Sequence, residues 1–313
     1  MKSPVLSILF LLISVTLLAV PNDFRFRHFS VEDGLSSNSV RAIMQDKYGF
    51  LWIGTEEGLN RYDGIMIKSY SICPQAAGKY ISSLYGTKKN IWIGTDEGIY
   101  IYAYATETFT YFDLTTPNNV RITSIVNHIL QDKDGNLWFS TNGQGLFRYN
   151  LSKNYLEQYE FTSAFGIVAS TMADSDNQIW ALTNQGESGV YKLNKAENKF
   201  EPFGLLYNAG NHHSQALAML EDSEQTLWLG TWECGLQKID KYTRQTTTYL
   251  HPTDGKGVTH IHSLMEYAPH QLLIGSDDGL LLFNTLTEEY KLFTENETVP
   301  NSLSNRFVYP IIK

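Results

Sequence analysis

The sequence predicts an all-β fold, a seven-bladed β-propeller with an incomplete seventh blade: six full four-stranded blades plus terminal strands. Three observations predict it. A five-residue phrase recurs six times, every copy stands in the same turn context, and the two chain ends read as opposite edges of one more unit.

The phrase reads Leu-Trp-Ile-Gly-Thr at 51–55 and Ile-Trp-Ile-Gly-Thr at 91–95. It continues as Leu-Trp-Phe-Ser-Thr at 137–141, Ile-Trp-Ala-Leu-Thr at 179–183 and Leu-Trp-Leu-Gly-Thr at 227–231. The sixth copy, Leu-Leu-Ile-Gly-Ser at 272–276, carries Leu273 in place of tryptophan. Anchor positions 52, 92, 138, 180, 228 and 273 lie 40, 46, 42, 48 and 45 residues apart. A turn such as Asp46-Lys47-Tyr48-Gly49 precedes the anchor, opened by an aspartate side chain and closed by glycine. Two or three polar residues and a glycine follow it, and two further short runs end the unit. Four short strands in such a period make one propeller blade, and no apolar stripe of helical period competes. Trp52, Trp92, Trp138, Trp180 and Trp228 hold equivalent positions, so they are expected to be structural wedges between blades.

The blade count follows from the ends. Phe24 to Phe29 reads as an outer, fourth strand with nothing before it to supply the first three. Ser302 to Val308 resembles Gly34 to Val40 and opens a seventh unit that stops at Lys313. The expectation is a ring whose last blade is shared between the termini and lacks two strands, in a fragment of a longer protein. Ahead of it, Met1 and Lys2 precede an apolar run from Val5 to Val20, short for a helix crossing ~30 Å of hydrocarbon. Residues 1–21 are read as a signal peptide or an uncleaved N-terminal anchor, and 22–313 as the exported propeller. The chain of 313 residues carries a net charge of -9 without a basic block, which argues against nucleic-acid binding. Charged residues make up 18%, below the usual ~25%, and 42% are apolar, enough for a core. Cys73 and Cys234 lie in different repeats and are expected to be buried thiols rather than a disulfide framework.

Residues 46–63 read Asp-x-x-Gly-x-Leu-Trp-Ile-Gly-Thr-x-x-Gly-Leu-x-Arg-Tyr-Asp, and Phe29 to Val40 leads into them. Together they resemble the two-component regulator propeller repeat, the periplasmic sensor region of Bacteroidetes hybrid two-component systems. The resemblance covers residues 24 to 313. Blades 4 and 6 depart from it, with Ala181-Leu182 for Ile-Gly and Leu273 for Trp. The family implies a non-catalytic sensor propeller in the periplasm, linked to oligosaccharide sensing. In the family a second propeller, an immunoglobulin-like domain, a membrane helix and a kinase follow, and none is present here. It thus implies receptor domains C-terminal to this piece, inner-membrane anchoring of the whole receptor and a homodimer as a further partner. The rival readings are a propeller-type glycosidase or polysaccharide lyase, and a secreted interaction scaffold.

In a propeller, the loops joining strand two to three and strand four to the next strand one share one face. At matching positions of the second-to-third loops stand Glu56, Asp96, Asn142, Asn184 and Asp277, but blade 5 has Trp232. The repeat does not require an aromatic there, so Trp232 is the leading ligand-contact candidate. It is grouped with Glu233 beside it, with His212 and His213 in the adjoining inter-blade loop, and with Arg121 and His260 from other inter-blade loops. Trp232 is expected to be solvent-exposed with Glu233 and one of His212 and His213 nearby. His262 aligns with Arg41 and is expected to line the central channel. His260 and His262 have metal-compatible spacing, but no third ligand is assignable. Asp132-x-Asp134-Gly135-Asn136 resembles the start of a calcium loop without its twelfth-position Glu. No catalytic residue, metal or cofactor is therefore assigned.

Overall fold

The computed structural model describes residues 24–72, 79–161, 166–183, 189–204, 215–251, 257–296, 298 and 302–312. These form six four-stranded antiparallel sheets, each built from four strands consecutive in sequence. The first strands are Val40–Gln45, Ile81–Gly86, Val126–Gln131, Val168–Ala173, Ala216–Glu221 and Ile261–Ala268. The anchor phrases form the second strands, from Leu51–Thr55 in blade 1 to Gln271–Ser276 in blade 6. Apart from a 3-10 turn at Val31–Asp33, no helix is present among the described residues. The first strand of each blade packs beside that of the next, and apolar clusters fill every space between successive blades. The chain is an all-β propeller.

The five tryptophans are 0–3% exposed and wedge against the following blade. In four blades the indole N–H donates to the aspartate that opens the preceding turn: Trp52 to Asp46 (2.8 Å), Trp138 to Asp132 (2.8 Å), Trp180 to Asp174 (3.0 Å) and Trp228 to Asp222 (2.7 Å). The other carboxylate oxygen accepts backbone N–H groups of the turn, as Asp174 does from Asp176 and Gln178. One acid thus satisfies a buried indole and shapes the turn. It also explains the calcium-like Asp132 segment, where Asp132 accepts from Asn136 and Trp138. Blade 2 departs. Its turn is one residue shorter, Thr87 stands in the place of the acid, and the buried Trp92 N–H has no partner among the described residues.

The glycine of the phrase has a steric cause. A Cβ at Gly54 would lie 2.5 Å from Ile81 Cγ2, at Gly94 2.9 Å from Val126 Cβ, and at Gly230 2.5 Å from Ile261 Cγ2. The first residue of the next blade's first strand fills the space that glycine leaves. One place later, each first strand carries a register shift that takes Arg41, Ser82, Asn127, Ala169, Leu217 and His262 out of the ladder. Such bulges re-aim side chains. Ser82 reaches the Val126 carbonyl of the next blade at 2.8 Å, and Asn127 that of Val168 at 2.9 Å.

The expected seventh blade requires correction, because no seventh sheet forms among the described residues. Phe24 to Phe29 is not a strand. Without second and third strands its backbone has no ladder to join, and it works instead as a strap. Phe24 packs edge-on against Tyr267 and Phe293 of blade 6, while Arg27 and Phe29 contact Tyr62 of blade 1. At the inner edge Val308 takes the seat opposite Gly275 that Ile81 takes opposite Gly54, and its N–H donates to the Ser276 carbonyl at 2.9 Å. Residues from both chain ends therefore cover the open side of blade 6. Residues 1–21 lie outside the described residues, as does Cys73; Cys234 is buried. No described helix is long and apolar enough to cross a membrane.

Candidate functional site

The bulged first-strand position and the loop position after each anchor phrase meet on one rim of the ring. In blade 1 they carry Arg41 and Glu56, which form an ion pair, with Arg41 Nε 3.0 Å from Glu56 Oε1. Burial is the largest single influence and would lower the Arg41 pKa, but the hydrogen bonds and charges of Glu56, Tyr80 and Tyr309 together raise it. The hydrogen bond from Arg41 holds the Glu56 carboxyl below its usual value. In blade 6 the equivalent positions carry His262 and Asp277, with His262 Nε2 2.7 Å from Asp277 Oδ1. Asp277 Oδ2 meets Nδ1 of His260, so one carboxylate bridges two imidazoles. Burial alone would raise the Asp277 pKa; the two histidine hydrogen bonds win and lower it. Burial pushes His262 below its usual value, against the opposing pull of Asp277.

Trp232 is 38% exposed, and its ring stacks on His260 with centroids 3.8 Å apart and planes at 30°. One indole face is covered by the imidazole, which leaves the other for its exposure. The backbone fixes this arrangement: Trp232 N–H donates to the Gln215 carbonyl and Trp232 C=O accepts from His260 N–H. His260 has a left-handed backbone (φ 47), unlike the other residues that immediately precede a first strand. Farther round, the His262 ring lies 4.5 Å from that of Tyr309, over which Arg41 sits at 5.0 Å. A continuous run of contacts therefore joins Trp232, His260, Asp277, His262, Tyr309, Arg41 and Glu56, from blade 5 across the open seam to blade 1.

The structure brings together Trp232 and His260 from the sequence candidates, with Glu233 exposed next in the chain. His212 and His213 lie outside the described residues. Arg121 is elsewhere, between blades 2 and 3, paired with Asp113 at 2.8 Å. Sequence reasoning missed Asp277 and Tyr309 as members of the site. The signal for Asp277 was present: an acid and a base occupy matching positions in blades 1 and 6. Among the described residues no group of three or more histidine, cysteine or acidic side chains is placed to hold a metal ion. A separate shallow groove of about 440 Å³, lined by Trp92, Tyr111, Asp113 and Tyr149 among others, lies between blades 2 and 3 away from this rim.

Residues 34–57 and 120–143, from blades 1 and 3, match the family model described as two component regulator propeller. These segments are two-component regulator propeller repeats. A histidine kinase, P4, of Formosa agariphila is 26% identical over 293 residues, covering 88% of this chain and 21% of its own length. Among solved structures, the extracellular domain of a hybrid two-component system from B. thetaiotaomicron superposes with a TM-score of 0.75 at 23% identity. That match covers 91% of this chain and 38% of the other. Virginiamycin B lyase from Staphylococcus aureus gives a TM-score of 0.64 at 14% identity over 81% of this chain and 83% of its own. At these identities the structural matches establish the fold. The chain spans about a fifth of the kinase it matches and less than two-fifths of the hybrid-system domain.

Proposed function

We propose that this chain is an extracytoplasmic ligand-reception propeller of a two-component receptor, that it responds to an oligosaccharide, and that it does not turn its ligand over. The observation that carries the reading is Trp232, an indole placed where the other blades carry a polar turn residue and exposed on the loop rim over His260. Apolar ring faces of sugars stack on such a surface while flanking polar groups meet their hydroxyls. The repeat match and the names of the relatives support the receptor context. Export and membrane anchoring of the whole receptor belong to the same proposal.

The test is titration of the purified chain with a panel of oligosaccharides, followed by tryptophan emission and calorimetry. Binding is expected, and Trp232→Ala is expected to weaken it by ~1–3 kcal/mol with an unchanged melting temperature. A panel without any binder would overturn the reading. One observation favours a glycosidase or lyase instead: the histidine–carboxylate set around Asp277 lies on the same rim. Product release from a polysaccharide, abolished by Asp277→Asn, would decide for that rival.

A further inference from the structure

We propose that Asp277 is a positioning residue that makes this rim a hydrogen-bond-accepting site, selective for uncharged, hydroxyl-bearing ligands over anions. This rests on the reception reading above and adds the ligand chemistry to it.

A neutral imidazole has one N–H and one lone-pair nitrogen, and a carboxylate only accepts. His260 turns Nδ1 to Asp277 and His262 turns Nε2 to it, so each ring must place its single N–H there. Both tautomers are thereby fixed. The nitrogens left over, His260 Nε2 and His262 Nδ1, are acceptors, and neither has a hydrogen-bond partner among the described residues. His260 is partly exposed, with a left-handed backbone, and it carries the Trp232 platform on its ring. A ligand that reaches round the indole edge to these nitrogens meets lone pairs, which hydroxyl groups satisfy by donating.

The surrounding charges point the same way. Arg41 is occupied by Glu56, and Asp278 accepts from Thr259 N–H at 2.7 Å and from Thr259 Oγ1 at 2.9 Å. Tyr309 faces His262 from the terminal segment, and Tyr80 stands beside Arg41 and Glu56. Carboxylates therefore outnumber cations around the described rim. An anionic sugar would lose hydration there without gaining a free cation from the described residues. Acid reverses this logic, because a protonated imidazole turns its acceptor nitrogen into a donor.

The experiment compares uncharged gluco-, manno- and xylo-oligosaccharides with oligogalacturonate of equal length, read by Trp232-dependent emission. At neutral pH an uncharged member is expected to bind at least about tenfold more tightly than the anion. Asp277→Asn accepts from one imidazole only and must donate to the other, which flips that ring; the preference should collapse, and Asp277→Glu should restore part of it. Equal binding of oligogalacturonate at neutral pH, or an unchanged preference in folded Asp277→Asn, overturns the selectivity alone. A panel without any binder overturns the reception reading and the selectivity with it. Long-range proton–nitrogen NMR of the wild-type chain tests the foundation without ligand or variant. It should find Nδ1–H on His260 and Nε2–H on His262, and the opposite tautomer on either ring refutes the proposal.

Discussion

Asp174→Ala tests whether the aspartate-to-indole bond holds a blade together. Asp174 is 4% exposed and accepts three hydrogen bonds: Trp180 Nε1 at 3.0 Å, Asp176 N–H at 3.0 Å and Gln178 N–H at 2.8 Å. Removing the carboxylate leaves the indole N–H of a fully buried tryptophan without an acceptor, which costs ~1–3 kcal/mol. The two turn N–H groups lie close enough to solvent to recruit water, so each loses only the net value of a charge-assisted bond, about 1 kcal/mol. The sum is about 3–5 kcal/mol. For a domain of this size that corresponds to a fall of roughly 5–8 °C in the melting midpoint. Asp174→Asn should fall between alanine and wild type, since its oxygen still serves the turn but its amide faces the indole N–H with another donor. Calorimetric melts of the three proteins provide the measurement. A shift below about 2 °C for the alanine variant would refute the reasoning, because the buried indole would then have found an equivalent partner.

The same melts check the reverse change: Thr87→Asp should give Trp92 its missing acceptor and raise the midpoint by a few degrees, about 1 kcal/mol. Gly230→Ala places a Cβ 2.5 Å from Ile261 Cγ2 and should cost ~1–3 kcal/mol in guanidinium unfolding. Gly135→Ala, with nothing within 4 Å but a φ of +83, should cost only about 1 kcal/mol of backbone strain. Burial lowers the His128 pKa from 6.5 to about 4, so the unfolded chain takes up its proton first as pH falls. The His128 contribution should be constant above pH 6.5 and decline to about pH 4 by up to ~3 kcal/mol, and His128→Gln should remove that part of the acid loss in pH-dependent denaturant titrations.

Most of the fold was legible because its determinants are local and repeated. Asp174 reaches Trp180 within one turn, so the chemistry of the link fits inside the phrase that recurs. The glycine was legible as a position, although the side chain that requires it, Ile81 for Gly54, comes from the next repeat. The strap was not legible. Phe24-Arg25-Phe26-Arg27-His28-Phe29 alternates as a strand does, but alternation specifies which faces a segment can present and says nothing about a neighbour for its backbone. With no strand to pair with, the aromatic rings settle on Tyr267, Phe293 and Tyr62 instead. In the site, Trp232 was visible as a break in a polar position. Its partner His260 was grouped with it on topology, but the stack itself depends on a left-handed residue and on two blades meeting, which no periodicity encodes.

The rim contacts that the repeat does not require lie in blades 5, 6 and 1 and in the terminal segment, and two different demands act there. A ring of six sheets needs its seam held, and a seam joins surfaces that no repeat has matched to each other. Arg41, Glu56, Tyr309 and His262 answer that demand, since their contacts run from blade 6 through the terminal segment to blade 1. Trp232 does not. It lies on the blade 5 side of His260, touches no residue of the terminal segment in any ring contact, and keeps one face in water. Holding the seam gives no reason for an indole there, whereas a ligand does. Asp277 belongs to both sets, through His262 to the seam and through His260 to the indole. That double membership is why a substitution at Asp277 must be judged by ligand preference and tautomer rather than by stability, which either role would lower.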